Sequence, residues 1–103
     1  MYLSIHLNYL NNPSYSGPQV FYSNEANKEI ALVIQETMNK ELNHEREVKK
    51  IPSRTYMYDK LTIPGVLIEC GFLSNASEKN KLQNSEYQQK IADTIKNAII
   101  NYY

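Results

Sequence analysis

A chain of 103 residues has room for one domain with a modest core and not for two. Hydrophobic residues at 42% and charged residues at 21% are the make-up of a soluble globular domain, which excludes a disordered chain. Eleven basic and eleven acidic residues cancel and are interleaved, so charge gives no reason to expect nucleic acid or an anionic membrane as partner.

Tyr2–Asn8 alternates as a strand, with Leu3, Ile5 and Leu7 directed to one side and Tyr2, Ser4, His6 and Asn8 to the other. Asn11, Asn12, Pro13, Ser14, Ser16 and Gly17 have loop composition. Gln19–Ser23, carrying Val20, Phe21 and Tyr22, reads as a second short strand. Ser23 or Asn24 then caps a helix whose apolar stripe is Ala26, Ile30, Val33, Ile34, Met38 and Leu42. Lys28, Gln35, Glu36 and Lys40 occupy its opposite face.

His44–Lys50 is a charge run, expected to be a solvated connector. Pro52 and Ser53 break the chain, Thr55–Tyr58 is strand-like, and Ile63, Pro64 and Gly65 form a second break. Val66–Ile68 is apolar throughout and ends at Glu69, as a strand buried on both faces requires. Gly71 is expected to permit a sharp turn after it. Ser74 or Asn75 caps a short helix over Ala76–Leu82. Ser85 is expected to cap the last helix, whose stripe is Tyr87, Ile91, Ile95, Ala98, Ile99 and Tyr102. The order predicts an α/β fold, a mostly parallel sheet flanked by helices.

The single cysteine, Cys70, has no partner for an internal disulfide, and its apolar neighbours Ile68 and Phe72 point to packing rather than chemistry. Nine tyrosines without a tryptophan suit scattered half-buried packing or a groove surface. The chain carries no secretory signal pattern and no apolar run long enough to span a membrane. It opens directly on strand-like residues, from which we expect a segment to be missing upstream.

Two ionisable residues stand out by position. His6 lies within a strand of Leu and Ile, and Glu69 ends the most apolar strand. In open α/β sheets ligands bind beyond the carboxyl ends of the strands, and both residues fit that rim. A histidine so placed is either a hydrogen-bonded structural residue or a metal ligand. A glutamate so placed is either leaving the core for solvent or poised for acid–base chemistry. No HExxH, GxSxG, P-loop, GxGxxG or CxxC pattern is present.

Ser4–Asn8 (SIHLN), Ser16–Ser23 (SGPQVFYS), the helix bearing Asn24, Ala31, Ile34 and Gln35, the Arg46–Lys49 segment and, most sharply, Pro64–Asn75 (PGVLIECGFLSN) occur in one order. The tail with Glu78, Leu82, Tyr87, Gln88, Ile91, Ala92 and Ile95 continues it. Together they resemble the zinc-dependent N-acetylmuramoyl-L-alanine amidases, and within that family the spore-cortex, germination-specific subgroup. The resemblance implies a peptidoglycan hydrolase of the cell envelope or extracellular space. Such an enzyme cleaves the amide between N-acetylmuramic acid and the L-alanine of the stem peptide. It makes His6 a zinc ligand and Glu69 the catalytic acid–base, with Asn8 and Asn75 orienting them or acting as caps.

The family pattern also includes an upstream D-P-G-H-G-like segment and a further Glu, which supply two more zinc ligands and do not occur in these 103 residues. Residues 1–103 are therefore expected to be the C-terminal part of a single amidase catalytic domain, with weak zinc binding of their own. Missing strands would leave a sheet edge open to self-association. The alternative function is a non-catalytic peptidoglycan-binding or protein-interaction module. An upstream D-P-G-H-G segment in the reading frame separates the two.

Overall fold

The computed structural model describes residues 2–8, 12–51 and 65–103. The strand expected over Thr55–Tyr58, the break at Pro52 and Ser53, and Ile63 and Pro64 lie outside these residues. In chain order the elements are β1 (Tyr2–Asn8), β2 (Gln19–Tyr22), a 3-10 turn (Glu25–Asn27), α1 (Lys28–Leu42), β3 (Lys49–Lys50), β4 (Gly65–Phe72), α2 (Ala76–Leu82) and α3 (Ser85–Tyr102).

The strands form one sheet in the order β1-β4-β2-β3. β1 pairs parallel with β4, and β2 pairs parallel with β3, α1 being the crossover between them. β2 and β4 are antiparallel, so the expected mostly parallel sheet carries one reversed pairing. β4 has a hydrogen-bonded neighbour on each side, which explains its unbroken apolar run.

Strand alternation sorts the two faces. Val20, Tyr22, Val66, Ile68 and Cys70 point into the core, where they meet Ile30, Ala31, Ile34, Met38 and Leu42 of α1 and Ile91, Ile95 and Ala98 of α3. Each large side chain so buried contributes about 1.5–3 kcal/mol. The register places Gln19, Phe21, Leu67, Glu69, Ser4 and His6 on the other face, and none of them belongs to that core.

Asparagines delimit the helices. Asn24 accepts from the Ala26 N–H and Asn75 from the Glu78 N–H. Asn43 ends α1 in the left-handed region at φ 58°, a conformation asparagine tolerates. Asn84 accepts from the Tyr87 N–H, so the cap of α3 is Asn84 and not Ser85. Ser85 is already the first helical residue, where a side-chain oxygen no longer reaches the free amides.

Three further expectations are corrected. Gln35 is not on the solvent face of α1: it is 2% exposed, and its amide receives the Val20 N–H and donates to the Pro18 carbonyl and to Asn39. Those partners satisfy a polar group that would otherwise be costly to bury. Ala26 falls in the 3-10 turn and is exposed, outside the stripe. The charge run is no free connector either, because Lys49 and Lys50 form a strand at the end of the described sheet and Arg46 is tied down by three hydrogen bonds to two acceptors and by one ring, described below.

β4 does not end at Glu69, nor does Gly71 form a turn; the strand runs on to Phe72 with a register shift opposite His6–Asn8. Gly71 is required for space. A Cβ there would come within 3.2 Å of both Glu78 Oε1 and Leu82 Cδ1. Glu78 cannot yield, since Oε1 accepts from the Gly17 and Phe72 amides at 2.7 and 3.1 Å. Gly71→Ala is therefore expected to destabilise the fold by about 1–3 kcal/mol, measured by urea denaturation; an unchanged midpoint would contradict this packing.

Candidate active site

His6 and Glu69 are direct register partners across the parallel β1–β4 pair, on the face that the core leaves free. Parallel pairing sends both strands toward the same rim, so two residues 63 positions apart in sequence become neighbours near the carboxyl ends. Gln19 of β2 is the register partner of Glu69 on its other side. Glu69 thus stands in a row His6–Glu69–Gln19.

His6 is exposed, and its Nε2 lies 2.8 Å from Ser4 Oγ on the same strand face. Glu69 is half-buried, and its Oε2 is shut off from solvent without a hydrogen-bond partner among the described residues. Burial pushes the Glu69 carboxyl above its ordinary value, and the charge of nearby His6 offsets part of that rise. A buried carboxylate oxygen without a donor costs stability, and such sites are kept where chemistry or an unseen partner uses them.

Gln19 is 2% exposed. Its Oε1 accepts from Arg46 Nε and Nη2 at 3.0 and 2.7 Å, and its Nε2 donates to the Glu47 carbonyl. Arg46 also donates from Nη1 to the Ser16 carbonyl at 3.0 Å and lies 5.5 Å from the centre of the Phe72 ring. Nothing in the sequence pattern singles out Gln19, since an uncharged residue in a short strand has no periodicity of its own. Arg46 stood inside a charge run, and only the fold turns it inward.

Asn75 caps α2 and donates from Nδ2 to the Pro13 carbonyl at 2.7 Å. Its side chain is therefore spent on capping and loop anchoring. Asn8 accepts the Leu73 N–H through its carbonyl at 2.6 Å. His44 packs against Gly17, whose φ of 92° and missing Cβ leave room for the ring. Burial holds the His44 imidazole below its ordinary value, partly countered by Glu78. Among the described residues no group of three or more His, Cys, Asp or Glu side chains is placed to hold a metal ion.

A sequence family described as N-acetylmuramoyl-L-alanine amidase matches residues 1–101. The germination-specific N-acetylmuramoyl-L-alanine amidase of Bacillus subtilis is 40% identical over 106 aligned positions, taking in 100% of this chain and 44% of that protein. The Bacillus subtilis amidase LytC is 33% identical over 108 positions, with 100% of this chain and 21% of that protein covered. Of solved structures, the Clostridioides difficile CwlD amidase in complex with the GerS lipoprotein superposes with a TM-score of 0.91 at 40% identity. That superposition covers 99% of this chain and 53% of the other. The chain spans about half the length, or less, of these relatives.

Cys70 faces the core at 4% exposure, and burial raises its thiol to about 11. Two units above the ordinary value leave about a hundredfold less thiolate at pH 8. A thiol-reactive chromophore should accordingly label native Cys70 at least about a hundredfold more slowly than the chain unfolded in guanidinium. Equal rates would show an accessible, activated thiol instead.

Proposed function

The chain belongs to the N-acetylmuramoyl-L-alanine amidase family, and from that premise we propose that it supplies the catalytic carboxylate and one metal ligand of a peptidoglycan hydrolase. The observation that carries this reading is the register pairing of His6 with Glu69, whose buried Oε2 has no donor among the described residues. The substrate bond is the amide joining the lactyl group of N-acetylmuramic acid to L-alanine of the stem peptide. The site of action is the cell envelope. No helix among the described residues is long and apolar enough to cross a membrane.

The expected zinc fits these residues only in part. Catalytic zinc takes three protein ligands and keeps one position open, whereas this row offers one imidazole, His6, beside a carboxylate needed for proton transfer. We therefore read residues 1–103 as the C-terminal part of one catalytic domain, the remaining ligands coming from outside them. A zinc ion in such a site supplies Lewis-acid activation of water and of the scissile carbonyl.

The residues of this chain do the rest. Glu69, as carboxylate, accepts a proton from the attacking water. The water oxygen bonds to the lactyl carbonyl carbon, and Glu69 returns the proton to the departing L-alanine nitrogen as the carbon–nitrogen bond breaks. A raised proton affinity suits both steps, because the group must accept and then release within one cycle. Gln19, fixed by Arg46 and the Glu47 carbonyl, closes the flank of Glu69 opposite His6.

A second reading, an interaction or peptidoglycan-binding module without turnover, is favoured by one observation. Among the described residues β1 is a sheet edge, and Ile5 and Leu7 on it are 56% and 50% exposed. Beside them a cleft of about 310 Å³ is lined by Cys70, Leu82, Ile91 and Ile95. An open edge above an apolar cleft invites further strands, from the same polypeptide or from a second copy.

Two experiments test the enzymatic reading. In the complete domain, Glu69→Gln should lower hydrolysis by at least about a hundredfold while leaving bound metal unchanged. In the metal-free 103-residue chain the Glu69 carboxyl should lose its charge above the ordinary glutamate value as pH falls, followed by NMR titration, because burial disfavours the charged form. A carboxyl raised by burial favours the fold only when protonated, so in that metal-free chain Glu69→Gln should hold or raise Tm at pH 7. Retained turnover would remove Glu69 from its role. In the second experiment, zinc titrated into the 103-residue chain by calorimetry should show no tight stoichiometric binding; a tight one-to-one complex would sink the divided ligand set.

A further inference from the structure

The loop before β2 is held more firmly than a surface connection needs. Asn75 Nδ2 donates to the Pro13 carbonyl at 2.7 Å, and Arg46 Nη1 to the Ser16 carbonyl at 3.0 Å. Glu78 Oε1 receives the Gly17 N–H at 2.7 Å, and Gln35 Nε2 donates to the Pro18 carbonyl at 3.1 Å. Within the loop, Asn12 Oδ1 receives the Ser14 N–H and hydroxyl at 3.0 and 2.6 Å. Four side chains, from α1, the segment before β3 and the start of α2, thus bond four of the six residues 13–18.

The group this scaffold presents to solvent is the ring of Tyr15, 44% exposed. One face of the ring stacks on Phe72 at 5.9 Å between centroids and an interplanar angle of 30°. Phe72 is 2% exposed and has the Arg46 guanidinium 5.5 Å from its ring centre. The same guanidinium binds Gln19, the register partner of Glu69. Phe72 itself lies three residues beyond Glu69 on β4. The ring is therefore linked, through Phe72 and Arg46, to the strand that carries the proposed catalytic carboxylate and to Gln19 opposite it.

The surroundings of the ring select a chemistry. Residues 12–18 (NPSYSGP) carry no charge, and Arg46 is committed to Gln19 and Ser16. The residues flanking Tyr15 in this loop, Ser14, Ser16 and Asn12, carry hydroxyls and an amide, and Asn12 Oδ1 and Ser14 are already bonded to each other. A flat aromatic face edged by neutral hydrogen-bonding groups matches a sugar ring, which has an apolar C–H face and a rim of hydroxyls. It does not match the charged ends of a peptide. Holding the ring in place beforehand removes the ordering cost that binding would otherwise carry.

We propose that Tyr15 is a substrate-contacting residue that stacks on a hexosamine ring of the glycan strand and sets the preference for glycan-linked substrate. The proposal deepens the amidase reading and rests on it for the identity of the polymer. Binding alone tests it, without turnover. Peptide-free glycan strands of peptidoglycan and free stem peptide are each titrated calorimetrically into the 103-residue chain. Tyr15→Ala should weaken glycan binding about tenfold, the scale of one aromatic stacking contact, and leave peptide binding unchanged. Tyr15→Leu, which keeps Phe72 covered without offering a ring, should match Tyr15→Ala, and Tyr15→Phe should stay within about twofold of the parent.

The proposal is overturned if the parent chain does not bind glycan, if Tyr15→Ala binds it as the parent does, or if the variants lose peptide instead. Near-ultraviolet circular dichroism of Tyr15→Leu guards against a folding defect. Absence of hydrolysis by the complete domain would end the amidase reading yet leave Tyr15-dependent glycan binding standing. Hydrolysis with no effect of Tyr15 would do the reverse.

Discussion

The buried carboxylate of Glu78 joins the two halves of the site. One oxygen accepts both the Gly17 amide, at the entry to β2, and the Phe72 amide, at the end of β4. Bonds from backbone amides to a charged acceptor are roughly twice as strong as neutral ones, and at 4% exposure this one has little competition from water. The contact fixes how β2 approaches β4, and hence which residue stands opposite which. It also explains why residue 71 is glycine, since any side chain there would displace the carboxylate.

From that junction the remaining arrangement follows. β2 enters antiparallel to β4 with Gln19 opposite Glu69, and Arg46 folds back over Gln19, Ser16 and Phe72. α1 then carries the chain across to β3, while Gln35 accepts the Val20 N–H and donates to the Pro18 carbonyl. The helices described gather their apolar residues on one side of the sheet. The other side carries Gln19, Glu69, Ser4 and His6 together with Phe21 and Leu67. A site on an uncovered face can be strained and partly unsatisfied, because the core on the opposite face carries the stability.

Family membership and local chemistry divide along the same line. The segment Gly65–Asn75 holds the strand, the carboxylate, the space-saving glycine and the cap of α2, so it is conspicuous as a continuous string. The flanks of the site are discontinuous. His6, Gln19, Arg46 and Glu78 come from four other places in the chain and meet that string only through strand register and side-chain contacts. Spacing in sequence carries no trace of such meetings.

Taken alone, the amino-acid sequence determined β1, β2 and the three α-helices with most of their apolar stripes. Burial periodicity is a local property, and Ile30, Ile34, Met38, Ile91 and Ile95 display it within single helices. It also marked His6 and Glu69 as rim residues and Cys70 as an inert core thiol. Tertiary structure decided the rest: the antiparallel pairing of β2, the extension of β4 through Gly71, the inward turn of Gln35 and Arg46, and Asn84 as the cap of α3. Polar side chains have no preferred face of their own. Each turns toward whatever unpaired backbone group the folded chain brings within reach, and that is known only once the strands have met.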